Sequence, residues 1–243
     1  MEHTSRLVHS PLFEQLRHSL LEKIASGEWA PGMQVPSESE LSREYRLSPG
    51  TVRKALDFLE DAKFILRQQG RGTFIMDPEG RETIRRFERF RSEDGALVGQ
   101  TLEVLSHVED EATDAERANL QIADGSCVRR IVRLRRFKGA PFLYEHIALP
   151  AAMLPTARDV DNPEFWIATT ARNCGVLLGD AEERLSLAAC PEAAAAPLQC
   201  EKGETVMRIR GVMQSIDGVP VRWRDAYCVT QDIYYSVPLA RRV

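Results

Sequence analysis

Two arginines, Arg133 and Arg135, stand two residues apart in the run Val128 to Phe137, whose alternation reads as a β-strand. Residues i and i+2 of a strand project from one face, so both guanidinium groups point the same way, with Ile131 and Phe137 beside them. Two like charges side by side repel unless something negative sits between them, either an anionic ligand or a carboxylate of the chain. Glu145 lies on the next strand, Phe142 to Leu149, on a face otherwise made of Leu143, Ile147 and Leu149. A carboxylate on an apolar face needs a partner, because burying it alone is costly. Hairpin register decides whether the two sets meet. Pairing Arg135 with Glu145 puts them on one face; pairing Arg135 with Tyr144 puts them on opposite faces. The sequence leaves both registers open. It also leaves open that the arginine pair lies on the wet face of an antiparallel sheet.

A second constellation runs from Pro36 to Ile75. Ser37 and Glu40 have capping-box spacing, which opens a short helix to Tyr45. Ser48-Pro49 is an N-cap followed by proline at the first helical position, where its missing N–H costs nothing. Val52, Ala55, Leu56 and Leu59 then form one apolar stripe, and the opposite face carries Gly50, Thr51, Arg53, Lys54 and Asp57. Ile65 to Arg67 and Thr73 to Met76 read as two strands around the turn Gln68 to Gly72. Helix, turn, helix and a two-stranded wing is a DNA-reading arrangement. A short second helix that starts with small residues can approach the major-groove floor. At the hairpin tip, Gly70 and Gly72 let the main chain come close while Arg71 brings charge to a minor groove.

These sites need elements to hold them. Ahead of the wing, Ser10-Pro11 opens a helix whose buried stripe is Phe13, Leu16, Leu20 and Ile24, and Gly27 ends it. Asp77-Pro78-Glu79-Gly80 marks a boundary of turn residues. The expected division is residues 1–77 as the DNA-binding domain, 78–98 as a linker and 99–243 as the second domain, with an entry strand starting near residue 83. The linker stretch Arg81 to Asp94 is dense in both charges. The second domain mixes strands with three helices: Asp114 to Ile122, Asn162 to Cys174 and Glu192 to Gln199. It carries a weak internal repeat. Leu120-Gln121, Gly125 and Val128 match Leu198-Gln199, Gly203 and Val206 at one offset, and Gly139-Ala140-Pro141 matches Gly218-Val219-Pro220 at an offset one residue larger. Two related units therefore build one sheet, with room for a ligand where they meet. The residue matching Glu145 is Arg224; it and nearby Tyr227 are candidates for the far wall of such a pocket.

Composition sets the remaining bounds. A chain of 243 residues suits two domains. It has no apolar run for a signal peptide or a bilayer span, so a cytoplasmic protein without membrane contact is expected. The net charge of −4 argues against a non-specific nucleic-acid coat, but a specific reader needs only one positive face. Five cysteines, an odd number without Cys-x-x-Cys or histidines at metal spacing, point to small buried thiols; no metal or cofactor is expected.

Residues 10 to 77 resemble the winged helix-turn-helix domain of GntR-type bacterial transcription regulators. The resemblance rests on Pro36-Ser37-Glu38-x-Glu40-Leu41, Ser48-x-x-Thr51-Val52-Arg53-x-Ala55-Leu56 and Gly70-Arg71-Gly72-Thr73-Phe74. It implies DNA contacts at Ser48, Thr51, Arg53 and the Gly70-Arg71-Gly72 tip, to which position adds Ser37, Gly50 and Lys54. Ser39 and Pro49 stand where the family usually carries arginine, which leaves fewer charge-assisted contacts. Residues 83 to 240 resemble the UTRA effector-binding domain of the HutC-type branch, through Val132-x-Leu134-Arg135, Gly139-x-Pro141, Glu145 before Leu149-Pro150, and Asp217-Gly218-x-Pro220-Val221. That resemblance implies an α/β (α+β) protein with a chorismate-lyase-like second domain, mainly an antiparallel sheet. It further implies a small effector held at Arg133, Arg135 and Glu145. Glu164-Phe165-Trp166 replaces the serine and tyrosine of sugar-phosphate binders, which favours a carboxylate, an amino-acid derivative or a zwitterion. The expected protein is a homodimeric repressor that an effector releases from a palindromic double-stranded operator. The rival classes are a lyase-like enzyme, which lacks a nucleophile paired with a base, and a DNA-binding protein without a ligand, which requires the arginine pair to face solvent.

Overall fold

A computed structural model describes residues 11–77, 89–98, 100–154, 167, 170–171 and 174–237. The chain divides into two compact units, residues 1–84 and 85–243.

The first unit is built from local chemistry. Helix α1 (Leu12–Ala25) buries Leu16, Leu20, Leu21 and Ile24 and packs against α3 (Pro49–Asp61). Phe13, expected in that stripe, is only half-buried, and the Lys54 ammonium lies 3.8 Å from its ring centroid. Between them α2 (Glu38–Tyr45) starts with the expected box: the Ser37 hydroxyl accepts from the Glu40 N–H, and the Ser37 N–H donates to the Glu40 carboxylate at 2.8 Å. The Ser48 hydroxyl caps α3 by accepting from the Thr51 N–H at 3.2 Å, and the stripe Val52, Ala55, Leu56 and Leu59 is fully buried. Strands β2 (Ile65–Gln68) and β3 (Gly72–Ile75) form the wing. A third short strand, β1 (Gln34–Val35), which the sequence reading does not include, pairs with β3.

The second unit is a six-stranded antiparallel sheet. In chain order it contains β5 (Gln100–Glu111), β6 (Cys127–Phe137), β7 (Ala140–Pro150), β8 (Leu178–Ala189), β9 (Thr205–Ser215) and β10 (Pro220–Cys228), and in space β5-β6-β7-β10-β9-β8. The spatial order reads the same from either edge, as two related units meeting at their inner strands require. Helices α4 (Asp114–Leu120) and α5 (Glu192–Leu198) end in the same way, on Gln121 and Gln199 with φ of 53° and 57°. His146 and Asp225, equivalent by the repeat, pair directly across the β7–β10 seam. A two-stranded ribbon, β4 (Phe90–Ser92) with β11 (Ile233–Tyr235), completes the unit. Residues 90–92, placed in the linker from sequence, are therefore a strand of this unit. The stretch Arg81 to Glu88 and most of Asn162 to Cys174, including Glu164-Phe165-Trp166, lie outside the described residues; Ile167, Thr170 and Ala171 are helical.

The two faces of the sheet differ. One carries the helices: Leu134, Tyr144 and Val206 pack with Ala194, Ala195 and Leu198 of α5, while Val128 and Ala148 pack with Leu120 of α4. The other is apolar at both ends. At one end Leu143, Ile209 and Ala226 meet Phe90 and Ile233 of the ribbon; at the other, Ile131, Ile147, Leu149 and Met213 meet Ile167 and Ala171. Between these clusters lies a charged band, which crosses β9 at Gly211. A Cβ at Gly211 would stand 2.7 Å from the Glu182 carbonyl oxygen and 2.8 Å from Glu183 Cγ. Gly211→Ala is expected to lower the urea unfolding midpoint by an amount equivalent to about 1–3 kcal/mol, the usual cost of overpacking. The control is Gly50→Ala on α3, where the nearest atom is 3.9 Å from the added Cβ. It should leave stability unchanged or raise it by up to about 1 kcal/mol through helix propensity.

Candidate functional site

Register settles how the charged band assembles. Arg133 pairs directly with Glu145 across β6 and β7, and Arg135 with Leu143, so both arginines and the carboxylate share one face. Arg133 Nε donates to Glu145 Oε1 at 2.5 Å and Arg135 Nε donates to the same oxygen at 2.7 Å. Arg224 approaches from β10, its Nη1 3.5 Å from Glu145 Oε2. The wet-face alternative fails: Glu145 is 0% exposed, and Arg133, Arg135 and Arg224 are each 6% exposed.

The band extends beyond the residues singled out from sequence. Arg224 Nη2 donates across Gly211 to Glu183 on β8, and the Tyr235 hydroxyl of β11 donates to the other Glu183 oxygen. Arg222 shares the β10 face of Arg224. Its Nε, with Arg224 Nε and Glu145 Oε2, is a buried polar atom without a hydrogen-bond partner among the described residues. Buried polar atoms are normally satisfied, so these three mark places for a polar ligand. Arg222 carried a usable signal, since Arg222 and Arg224 repeat the i, i+2 spacing of Arg133 and Arg135. Glu183 and Tyr235 had none, because only strand order brings them here. Tyr227 belongs elsewhere. It projects from the helix-bearing face, packs beside the α5 cluster, and has the Arg208 guanidinium 5.4 Å from its ring centroid.

Electrostatics follow from the count. Among the described residues, four guanidinium groups, Arg133, Arg135, Arg222 and Arg224, face two carboxylates, Glu145 and Glu183. Burial alone would raise the Glu145 pKa, but Arg133, Arg135 and Arg224 outweigh it and hold the carboxyl well below the usual range. Glu183 behaves alike: burial opposes ionisation, and Arg224 with the Tyr235 hydroxyl overcomes it. Burial, then repulsion from Arg224, pushes Arg222 below the ordinary guanidinium range. Both carboxylates are thus ionised and already engaged by arginines.

The first unit presents a separate surface. Ser48, Gly50, Arg53, Gly70, Arg71 and Gly72 are all exposed, with Thr51 half-buried beside them. Arg53 Nη2 donates to Glu38 Oε2 at 2.9 Å, which ties the exposed face of α3 to the start of α2. Arg67 binds Asp57 at 2.7 Å and Glu60 at 2.6 Å, which fixes the wing to α3. The tip is shaped by Gly72, whose φ of 115° favours glycine and where a Cβ would meet Gln34 Nε2 at 2.5 Å. Gln34 Nε2 in turn donates to the Arg71 carbonyl at 3.3 Å. Two expected contacts are occupied within the unit. The Ser37 hydroxyl serves the cap of α2, and Lys54 rests on Phe13 of α1.

Comparison with known proteins bears on both surfaces. Residues 100–233 match the UTRA domain, and residues 12–75 match the bacterial regulatory proteins of the gntR family. The chain is a UTRA-bearing member of the GntR family. Such proteins are transcription regulators, so the lyase-like alternative falls away. The chain is 29% identical to the histidine utilization repressor of Klebsiella aerogenes over 62% of its own length and 63% of that protein's. It therefore spans less than two thirds of that relative. It is 26% identical to the "Probable fructoselysine utilization operon transcriptional repressor" of Escherichia coli (strain K12) over 98% of both chains. The solved structure of PhnF from Mycobacterium smegmatis covers 93% of the chain with a TM-score of 0.55 at 19% identity, a likeness of fold.

A depressed carboxyl pKa stabilises the fold above the unfolded pKa, and the gain is lost as pH falls through it towards the folded value. In this GntR–UTRA chain Glu145→Gln should cost about 3–5 kcal/mol at neutral pH, because it uncovers buried guanidinium groups. The gap to the parent should narrow as pH drops below about 4.3. Urea melts of both proteins at a series of pH values measure it.

Proposed function

We propose that the protein is a cytoplasmic, homodimeric transcriptional repressor that reads a palindromic operator and is released by a small anionic metabolite bound at the arginine band. One observation supports the effector reading: a buried arginine band in which Arg222 Nε, Arg224 Nε and Glu145 Oε2 make no hydrogen bond among the described residues. A carboxylate of the metabolite accepts from the Arg222 and Arg224 Nε–H groups. Glu145 Oε2 is an acceptor, which suits the ammonium group of a zwitterion and favours an amino-acid derivative over a sugar phosphate. Glu164-Phe165-Trp166, where sugar-phosphate binders of the family carry serine and tyrosine, supports the same preference. So do two relatives' names, since histidine and fructoselysine are amino-acid compounds.

The DNA reading rests on the exposed start of α3 and the Arg71 tip. A Cβ at Gly50 would make only an ordinary contact, 3.9 Å from the Ser48 hydroxyl, so the fold does not require glycine there and its smallness serves an approaching partner. Two such readers in a dimer supply the affinity that one lacks. Residues 1–77 act as the reader and residues from β4 onward as the sensor. Effector binding shifts the sensor's population of states, and the shift reaches the readers through the intervening stretch. Among the described residues no helix is long and apolar enough to cross a membrane, in keeping with a cytoplasmic site of action.

Operator DNA selected from a random pool, followed by fluorescence anisotropy, tests the first half. Arg71→Ala should weaken binding and reduce the slope of log affinity against log salt by about 1. Differential scanning fluorimetry against amino-acid catabolites, small carboxylates and sugar phosphates tests the second. A ligand at a hundredfold its Kd should add about 2.7 kcal/mol of stability. Arg222→Met separates binding from folding. It removes a repelled charge, so stability should hold or rise, while affinity for the hit falls about tenfold or more. Unchanged affinity in Arg222→Met, or hits confined to sugar phosphates, would reject the proposed ligand class.

A further inference from the structure

We propose that Cys190 and Cys200 are a dithiol pair that closes to an intramolecular disulfide when the protein meets hydrogen peroxide, a covalent site separate from the arginine band. The two sulfurs lie 3.3 Å apart, with the Cys200 thiol donating to Cys190. Local structure places them. Cys190 directly follows the last residue of β8, and Cys200 directly follows Gln199, the left-handed residue that ends α5. The short helix therefore folds its two flanks onto each other. Backbone bonds fix both ends: the Cys190 N–H donates to the Glu204 carbonyl at 2.8 Å, the Gly203 N–H to the Cys190 carbonyl at 2.9 Å, and the Cys200 N–H to the Ala195 carbonyl at 3.1 Å. Thiols already in contact on a held backbone need only a small side-chain adjustment to reach bonding geometry.

The environments of the two sulfurs differ, and the difference assigns their roles. Cys200 is half-buried and lines a cleft of about 410 Å³ with Phe142, Leu198 and Glu204. Cys190 is buried in the α5 cluster among Leu134, Tyr144 and Val206. Burial, together with the hydrogen bond from Cys200, pushes the Cys190 thiol up to about 12, so it stays protonated and is not the first target. Cys200 meets the oxidant. Its thiolate sulfur forms a bond to one peroxide oxygen as the O–O bond breaks, giving a sulfenic acid and, after protonation of the departing hydroxide, one water. The Cys190 sulfur then attacks the Cys200 sulfur. The S–O bond breaks, the departing hydroxide takes the Cys190 proton, and a second water leaves. Two thiols are oxidised to one disulfide as one peroxide is reduced to two waters. The bond would staple the ends of α5 to the end of β8 and tighten the helix-bearing face.

The test uses the full chain in a Cys127→Ser background, because Cys127 is exposed and would add bridges between molecules. The protein is titrated with hydrogen peroxide, its free thiols are alkylated, and it is analysed by intact mass and non-reducing peptide mapping. The expected result is a loss of two hydrogens with Cys190 linked to Cys200, reversed by dithiothreitol and absent in Cys200→Ser. Accumulation of sulfenic or sulfinic acid on Cys200 while Cys190 remains open to alkylation in the unfolded, quenched sample would overturn the proposal. So would the absence of reaction at both thiols under peroxide that fully oxidises free glutathione. Neither outcome depends on a variant that must fold with Cys190 replaced.

Discussion

A single carboxylate with no exposed surface governs the second unit. Glu145 sits on the central strand pair of the sheet, and the side chains of Arg133 and Arg135 from β6 and of Arg224 from β10 converge on it. Each of those arginines is buried because Glu145 makes its burial tolerable, and Glu145 is ionised because they surround it. Such clusters are often no more stabilising than well-packed apolar residues of the same volume. The sheet clearly can build apolar contacts, since it does so at both ends of the same face. The central charges are better explained by what the surface binds than by what holds it together. This constraint also fixes register, since a one-residue slip of β7 would drive Glu145 among the helices of the opposite face.

The two structural units were legible in the sequence to different depths. In the first, the decisive chemistry is local. Ser37 with Glu40, Ser48 with Thr51, and the glycines around Arg71 each act within a few residues, and each appears where spacing placed it. What escaped was non-local or too short: the two residues of β1, and the pull of Phe13 on Lys54. The repeat gave the plan of the second unit, including the equivalence of Glu145 and Arg224. It could not give register. The i, i+2 rule proved that Arg133 and Arg135 share a face, yet only the pairing of Arg133 with Glu145 proved which face. Glu183 and Tyr235 were invisible because they reach the band from strands far away in sequence. Tyr227 was misplaced by proximity: three residues from Arg224 along a strand means the other side of the sheet. The contact of Cys190 with Cys200 likewise depends on a helix turning the chain back, which spacing alone does not show.

The two units also divide the physical labour. In the first, arginines are held by acids: the half-buried Arg67 by Asp57 and Glu60, and the exposed Arg53 by Glu38. These pairs are surface or half-buried and individually weak, but they hold α2, α3 and the wing in one geometry. Arg71 is left at the tip with its charge exposed. In the second unit the placement is reversed. Four arginines are gathered inside around Glu145 and Glu183, the carboxylates among the described residues of the band. One unit suits a large polyanion approaching from outside, the other a small anion that must be enclosed.

The repeat has a consequence for ancestry. Glu145 and Arg224 occupy equivalent places on either side of the His146–Asp225 pair, one acid and one base. Arg133 likewise corresponds to Gly211, the gap through which Arg224 reaches Glu183. Had the sheet been assembled from two identical copies of one half, like would have faced like across the seam: acid against acid, or base against base. Unlike charges at matching positions can arise only once the two halves differ in sequence. The charged band is in this sense younger than the symmetry of the sheet that carries it, and divergence of the two halves was a precondition for having such a band at all.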